Sequence, residues 1–496
     1  MNIGTVIEHL NKNKGYSLPS EYYDNIKLWQ DWWRGFHKPF HQFVELNGNQ
    51  KKTRKLFTLK MGKKVCEDWA SILLNEKTQI IIADGTETTG KNKEVKPGAS
   101  SLFVQGEDGT GGVFGENDFW SQGNALVEKA FALGSGAFVV KLSGMAVDGE
   151  RVKPSDKAKV QIDYLTAQQI IPLSVHKGRI TEAAFVSETT EKGKSYIYLE
   201  THELVKGKYR ITNEYFKAEN EQITPQPLPD GVAPVLYTGT GIPLFAIFGP
   251  NIVNTYPKAN GMGMSIYAHA IDNLMGVDLA FNNLCRDFKL GGKKVFYNED
   301  IVRTDQEGNT ITPDDVMQQL FVQVGDGFVD ENGRQKAVQE FNPSLRVAEN
   351  KDGIQAQLDY LSFKVGFGTK HYQFNAGSVV TATQYMGDKQ ELVQNAAKHY
   401  VVVERALKQL VRAILWAGKE VLGQDVNPKA QVTVNFEDGY IIDKESERLR
   451  DLQEIRDGLM QRWEYRVKWY GESESTAKKM VGAQLTDDEL MGFGDD

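Results

Sequence analysis

Gly85-Thr-Glu-Thr-Thr-Gly90-Lys91 has the G-x-x-x-x-G-K spacing of a phosphate-cradling loop, and it follows an apolar run that ends in Asp84. Such a loop needs backbone N–H groups lining the phosphates, a Lys that reaches them, a hydroxyl that holds Mg²⁺, and a helix opening directly behind. Here Asn92 stands at the hydroxyl position and Pro97 follows five residues later, so no helix is expected to start. We read 85–91 as the Lys-rich tip of a hairpin; an NTPase or DNA-processing enzyme using 85–91 is the alternative. His37 and His41 have the i, i+4 spacing of a helical metal pair, but Pro39 lies between them and no Glu follows His37. The carboxylate pairs Asp314/Asp315 and Glu116/Asp118 are joined by no base or nucleophile in the sequence pattern. Cys66 and Cys285 fall in neither a C-x-x-C nor a Cys/His cluster, and are expected as reduced, buried thiols. The sequence thus offers no catalytic group, no metal site and no cofactor site.

The elements that would position any site are long. With 496 residues, 40% apolar and 25% charged, the chain has ample core material for several lobes. Its net charge of −8 gives no global attraction to nucleic acid, so any DNA contact must be local. The N-terminus lacks the apolar stretch of a secretion signal, and the longest charge-free run, 231–257, is interrupted by four prolines, so no membrane span is expected.

Helical periodicity marks 18–36, capped by Ser20, with Tyr22, Ile26, Trp29, Trp33 and Phe36 on one aromatic face expected in a core. Residues 63–77 and 117–134 read as further helices, and between 136 and 216 short β-rich runs alternate with Lys and Gly turns. A helix of about 264–289, roughly 39 Å long, carries Tyr267, Leu274, Phe281 and Phe288 on a heptad-like stripe. Residues 290–342 read as a small α/β module with a strong helix start at Thr312-Pro313-Asp314-Asp315. A second striped helix, about 350–366, carries Ile354, Leu358, Leu361 and Val365. The aperiodic segment 367–383 follows, then a long helix over 384–421 and an amphipathic, acidic-ended tail. The fold class is α+β, in an elongated multi-lobed subunit without internal repeats.

The stretch Asn254 to Ile301, with Gly263-Met-Ser265-Ile266, a helix bearing central Asp278, and the Gly291 to Lys294 strand entry, resembles the portal proteins of tailed bacteriophages of the siphophage type with Gram-positive hosts. Trp32-Trp33-x-Gly35, the run "ALGSGAFVVKL", the long helix from Thr381 and the segment from Phe436 resemble further family signatures in the same order, collinear over about 30–480.

The resemblance implies a homo-oligomeric ring of twelve at one capsid vertex of the virion, assembled in the host cytoplasm, through which double-stranded DNA is packaged and ejected. It implies a wing (1–255), stem helices (256–289 and 343–366) around a clip (290–342), a channel loop (367–383), a long wing helix (384–421) and a crown (422–496). Terminase, a head–tail connector, scaffold and major capsid protein are the implied partners, with no ATP hydrolysis by the chain itself. On that reading Lys364, Lys370, His371, Gln373 and Asn375 face the DNA. Tyr267, Leu274, Phe281, Phe288, Leu358 and Leu361 pack neighbouring subunits together. Asp314 and Asp315 meet the terminase. Another head or tail structural protein is the remaining alternative.

Overall fold

In the computed structural model, the described residues are 3–47, 50–75, 77–84, 97–107, 109–144, 146–149, 151–153, 155, 158–219, 222–298, 303–304, 310–311, 321–324, 338–373, 382–436, 444–470 and 474–481. Helix α1 (Ile3–Lys14) buries Val6, Ile7 and Leu10. Helix α2 (Tyr22–Arg34) buries Tyr22, Ile26 and Trp29, three residues of the expected aromatic face, together with Trp32. Its expected cap is not used: Glu21 holds the N-cap position and no side chain caps it. Gly35, at φ 74°, closes it in the left-handed conformation that glycine adopts without Cβ strain. A single helical turn, Lys38–His41, then feeds an antiparallel ribbon of β1 (Gln42–Asn47) and β2 (Gln50–Lys55). Helix α3 (Met61–Leu73), strand β3 (Gln79–Ala83) and helix α4 (Phe119–Leu133) follow.

The β-rich middle is built on two-residue turns. Lys177-Gly178, Lys192-Gly193 and Lys206-Gly207 all stand at positive φ, the requirement of a tight I′ hairpin loop. They join β6 (Ile170–His176), β7 (Arg179–Glu191), β8 (Lys194–Val205) and β9 (Lys208–Glu219) into the spine of an eight-stranded sheet. A three-stranded sheet beside it has β4 (Gly136–Ser143) between β5 (Lys159–Thr166) and β10 (Phe245–Phe248). Period-two alternation along β7 divides the burial. Ala184 and Val186 pack with Val6, Ile7 and Leu10 of α1, whereas Ala183 and Phe185 join the main core.

The second half is helical. Helix α5 (Ile271–Leu290) begins seven residues later than its stripe suggests, after a short 3-10 turn at Ala268–Ala270. The cause is a junction of three backbones: Gly134, Gly249 and Gly263 approach so closely that a Cβ on any of them would meet carbonyl oxygen at 2.0–2.3 Å. Tyr267, at the end of that junction, donates its hydroxyl to the Trp29 carbonyl at 2.7 Å and is fully buried.

Strands β11 (Lys294–Asn298), β12 (Phe321–Val324) and β13 (Val338–Phe341) form a small sheet with β11 in the middle, parallel to β12 and antiparallel to β13. Helix α6 (Val347–Lys364) then packs back on α5, so the small module is inserted between two partnered helices. Helix α7 (Ala382–Glu420) runs for 39 residues through the main core. Strand β14 (Gln431–Asn435) returns to pair with β3, and helices α8 (Lys444–Arg456) and α9 (Arg462–Tyr470) follow. The chain is an α+β protein. Among the described residues no helix is long and apolar enough to cross a membrane.

Candidate functional site: the helix pair and the segment that follows it

Asp278 organises the centre of α5. Although a carboxylate, it is buried, and three donors surround it. The Leu59 amide donates to Oδ1 at 2.8 Å, and the Thr58 hydroxyl (3.0 Å) and His41 Nε2 (2.9 Å) donate to Oδ2. The His37 amide donates to His41 Nδ1 at 2.8 Å, which leaves Nε2 to carry the proton aimed at Asp278. One turn on, Asn282 accepts from the Phe57 amide at 3.3 Å. A buried carboxylate is tolerable only with such saturation. Its effect here is to bind the loop 56–60 to the flank of α5. The His37/His41 pair therefore serves packing: His37 Nδ1 lies 3.1 Å from Asp31 and His41 bonds Asp278. Among the described residues no group of three or more His, Cys, Asp or Glu could hold a metal ion.

The stripe residues fall into two sets. Tyr267, Leu274, Leu358 and Leu361 are buried in the chain's own core. This corrects their assignment to packing between subunits: α5 and α6 turn these faces toward each other and toward the main core. The heptad pattern was that of an intramolecular helix pair. Their crossing is close, since a Cβ on Gly276 would meet Gln357 Oε1 at 2.4 Å. Phe281 is half-buried, and Phe288 is exposed near the outer end of α5. At that end Arg346 grips Asp287 with two bonds, Nε to Oδ2 at 3.2 Å and Nη2 to Oδ1 at 2.9 Å, and Asn350 adds a third at 2.8 Å. These bonds hold the Asp287 carboxyl below its usual range.

Past α6 the chain is pinned before it enters the uncharged segment. Trp69 Nε1 donates to the Val365 carbonyl (3.2 Å) and Asn395 to the Gly366 carbonyl (3.0 Å). Gly366, Gly368 and Lys370 stand at positive φ, which folds the backbone tightly over α3. Phe367 stacks between Trp69 (4.7 Å) and His371 (4.3 Å), and the Tyr372 hydroxyl donates to Asp68 at 2.9 Å. Burial, then the Asp68 charge, push the Tyr372 hydroxyl well up.

Of the residues expected to face DNA, Lys364, Lys370 and Gln373 are exposed. His371 is not available in that role. Its side chain is only 17% exposed, with the ring lying on Phe367. Asn375, Asp314, Asp315 and the 85–91 loop lie outside the described residues. Gln373 also lines, with Leu59, Phe281, Leu284 and Ile354, an apolar groove of about 440 Å³ rimmed by Lys351 and Asp352.

The sequence reading missed the anchor on the other side of this segment. His399 of α7 lies between Trp69 (4.8 Å) and Phe131 (5.1 Å), and accepts at Nδ1 from the Asn251 amide (3.0 Å). A lone His in an apolar helix face was the only available signal. Burial lowers its pKa to about 3. The unfolded chain therefore takes up a proton near pH 6.5 that the folded chain refuses until about 3. Stability is full above pH 6.5 and falls with pH between these values, by up to about 1.4 kcal/mol per unit. Comparing denaturant unfolding of wild type and His399→Gln from pH 7 to 4.5 checks this: the wild type is expected to lose more stability than the variant. The thiols differ from each other as well. Cys66 is buried and its pKa raised by desolvation, whereas Cys285 is only partly covered, contrary to expectation.

No protein-family model and no curated protein matches this sequence. Among solved structures the chain is similar to one described as the neck of a native GTA particle computed with C12 symmetry. The identity is 12%, over 82% of this chain and 88% of that one, with a TM-score of 0.34. Identity and TM-score at this level assign neither a shared fold nor a shared role.

Proposed function

We propose that the chain is a structural protein of a phage-like particle, and specifically a portal subunit. On this reading copies close into a ring that conducts double-stranded DNA during packaging and ejection, and a terminase and later a head–tail connector dock on the inserted module. The observation that carries the proposal is the arrangement helix, small module, partnered helix, a stretch pinned at 365–372, long helix. It stands in the order that the portal resemblance of Gly263-Met-Ser265-Ile266 and Asp278 implies. The α5–α6 pair, with its buried Asp278 and with Asp287 gripped by Arg346, leads into and out of the inserted module.

With Tyr267, Leu274, Leu358 and Leu361 used internally, subunit contacts fall to residues exposed on the same two helices. Phe288 on α5, and Tyr360 and Phe363 one turn apart on α6, are 54%, 62% and 54% exposed. A heterologous contact of this kind closes into a ring when its rotation permits. Lys364, Lys370 and Gln373 remain the described residues proposed to face DNA. The proposed role involves no catalysis by this chain.

Mass photometry and negative-stain imaging of the purified full chain test the reading. The expected result is a ring with a central opening and no nucleotide turnover. Turnover abolished by Lys91→Ala would instead establish the enzyme reading, and a single-copy particle without an opening would remove the portal. In a ring-forming preparation, Tyr360→Glu/Phe363→Glu is expected to shift the population to smaller species without loss of fold, read by circular dichroism.

A further inference from the structure

The β1–β2 ribbon and its flanks concentrate positive charge in a chain whose net charge is negative. Residues 34–64 hold nine of the chain's 58 Lys and Arg but only one of its 66 carboxylates, Glu45, in a protein of net charge −8. Several of these cations are used by the fold. Lys63 bonds Glu128 at 2.6 Å, Lys64 bonds Asp68, and the Lys55 ammonium sits 5.1 Å over the Phe36 ring at the foot of the ribbon. Four of the nine, Lys51, Lys52, Arg54 and Lys55, lie on β2, whose residues from Lys51 to Lys55 are all exposed.

The ribbon's position is unusual for a structural hairpin. Among the described strands β1 and β2 pair only with each other, in register from Gln42↔Lys55 to Asn47↔Gln50. Its foot, by contrast, is firmly held. The Leu56 amide donates to the His41 carbonyl at 2.8 Å, and His41 is the buried partner of Asp278. A six-residue strand reaches about 20 Å. Along it, strand alternation puts Lys52 and Arg54 on one face and Lys51 and Lys55 on the other. Phe43 and Val44, across from Arg54 and Thr53, are also exposed.

We propose that this ribbon is a binding site for the phosphate backbone of double-stranded DNA. Three properties favour that ligand. A duplex carries one charge per ~1.7 Å of axis, the densest target for a row of Lys and Arg. A two-stranded ribbon fits the major groove, about 12 Å wide, and cations on both of its faces can reach phosphates on either side of the groove. Phosphate contacts are independent of sequence and allow sliding, so a few per subunit guide a moving duplex without locking it. The choice of duplex DNA as ligand rests on the portal reading; the anchored cationic ribbon does not.

The test is a titration of fluorescent 40-base-pair duplex with the full-length protein across a salt series. The wild type is compared with Lys51→Ala/Lys52→Ala/Arg54→Ala and with a control removing three exposed lysines elsewhere, Lys208→Ala/Lys419→Ala/Lys429→Ala. At 100 mM salt the ribbon variant is expected to bind about tenfold or more weakly, with a salt slope shallower by about one per lost contact. The control is expected to match the wild type, and Lys51→Arg/Lys52→Arg to retain binding. Equal loss in ribbon variant and control overturns the site, because it would reflect net charge alone. A ribbon variant that binds DNA like wild type but assembles into smaller species also overturns it, assigning the ribbon to an acidic surface of a second copy. Assembly is read separately by mass. A wild type that never forms rings therefore defeats the portal reading without affecting the comparison of DNA affinities.

Discussion

Asp278→Ala is expected to destabilise the protein by about 3–5 kcal/mol, the range for removing one partner from a buried, fully bonded charge network. The substitution orphans three donors at once: the Leu59 amide, the Thr58 hydroxyl and His41 Nε2. Water cannot readily replace the carboxylate there, because His41 is fully buried and Trp32, Phe36 and Phe40 crowd its ring. The first consequence is local. Residues 56–60 come loose from α5, and the foot of the β1–β2 ribbon loses its anchor through His41. Hydrogen exchange should report the Leu59 amide opening well before the core of α7. Asp278→Asn is milder, since its carbonyl oxygen can still accept from Leu59, but its amide group faces donors on the other side. The coupling is also testable. His41→Ala should cost much less in the Asp278→Ala background than alone, as groups in one network are not additive. A wild-type melting curve for Asp278→Ala, with unchanged exchange at 56–60, would show that this carboxylate does not hold the loop.

The local elements were readable because one-dimensional signals governed them. The Lys-Gly pairs at 177–178, 192–193 and 206–207 dictate tight hairpins wherever the chain has β-forming residues on both sides. The apolar steps of α2, α6 and α7 placed those helices within a few residues of their observed bounds. What a stripe packs against is a tertiary fact, and there the reading failed. Tyr267, Leu274, Leu358 and Leu361 show the same period whether they meet a neighbouring subunit or the chain's own core, and they meet the core. His371 failed for a related reason. An uncharged run suggests nothing about a ring stack on Phe367, which depends on Trp69, some 300 residues earlier in the chain. The late start of α5 was hidden as well, because Tyr267 fits the heptad yet lies in the turn that the glycine junction imposes. Asp278 stands off the apolar stripe and within the portal resemblance, but its partners His41, Thr58 and Leu59 are more than 200 positions away. Its role here is to fasten a loop.

Two Gly→Ala substitutions of opposite sign separate the junction before α5 from an open helical glycine. Gly263→Ala is expected to destabilise by about 3 kcal/mol or more, at or beyond the upper end of overpacking costs. A Cβ at Gly263 would sit 2.2 Å from the Gly134 carbonyl oxygen, and that atom is backbone, so no rotamer change relieves the clash. Nor can the segment back away cheaply. The Gly263 amide donates to Ser135 Oγ at 3.0 Å, its carbonyl accepts the Tyr22 hydroxyl at 2.6 Å, and the Ile266 amide bonds the Phe131 carbonyl at 2.9 Å. Displacing it strains α2, α4 and the entry to α5 together. Gly353→Ala is the counterpart. It lies in the body of α6 with nothing within 4 Å of the new methyl group, so the change removes glycine's helix penalty and should stabilise by about 0.5–1 kcal/mol. Denaturant unfolding of the two variants beside wild type measures both shifts under the same conditions. A Gly263→Ala protein as stable as wild type would mean that the three glycine backbones do not meet in solution, and the late start of α5 would then lack its cause.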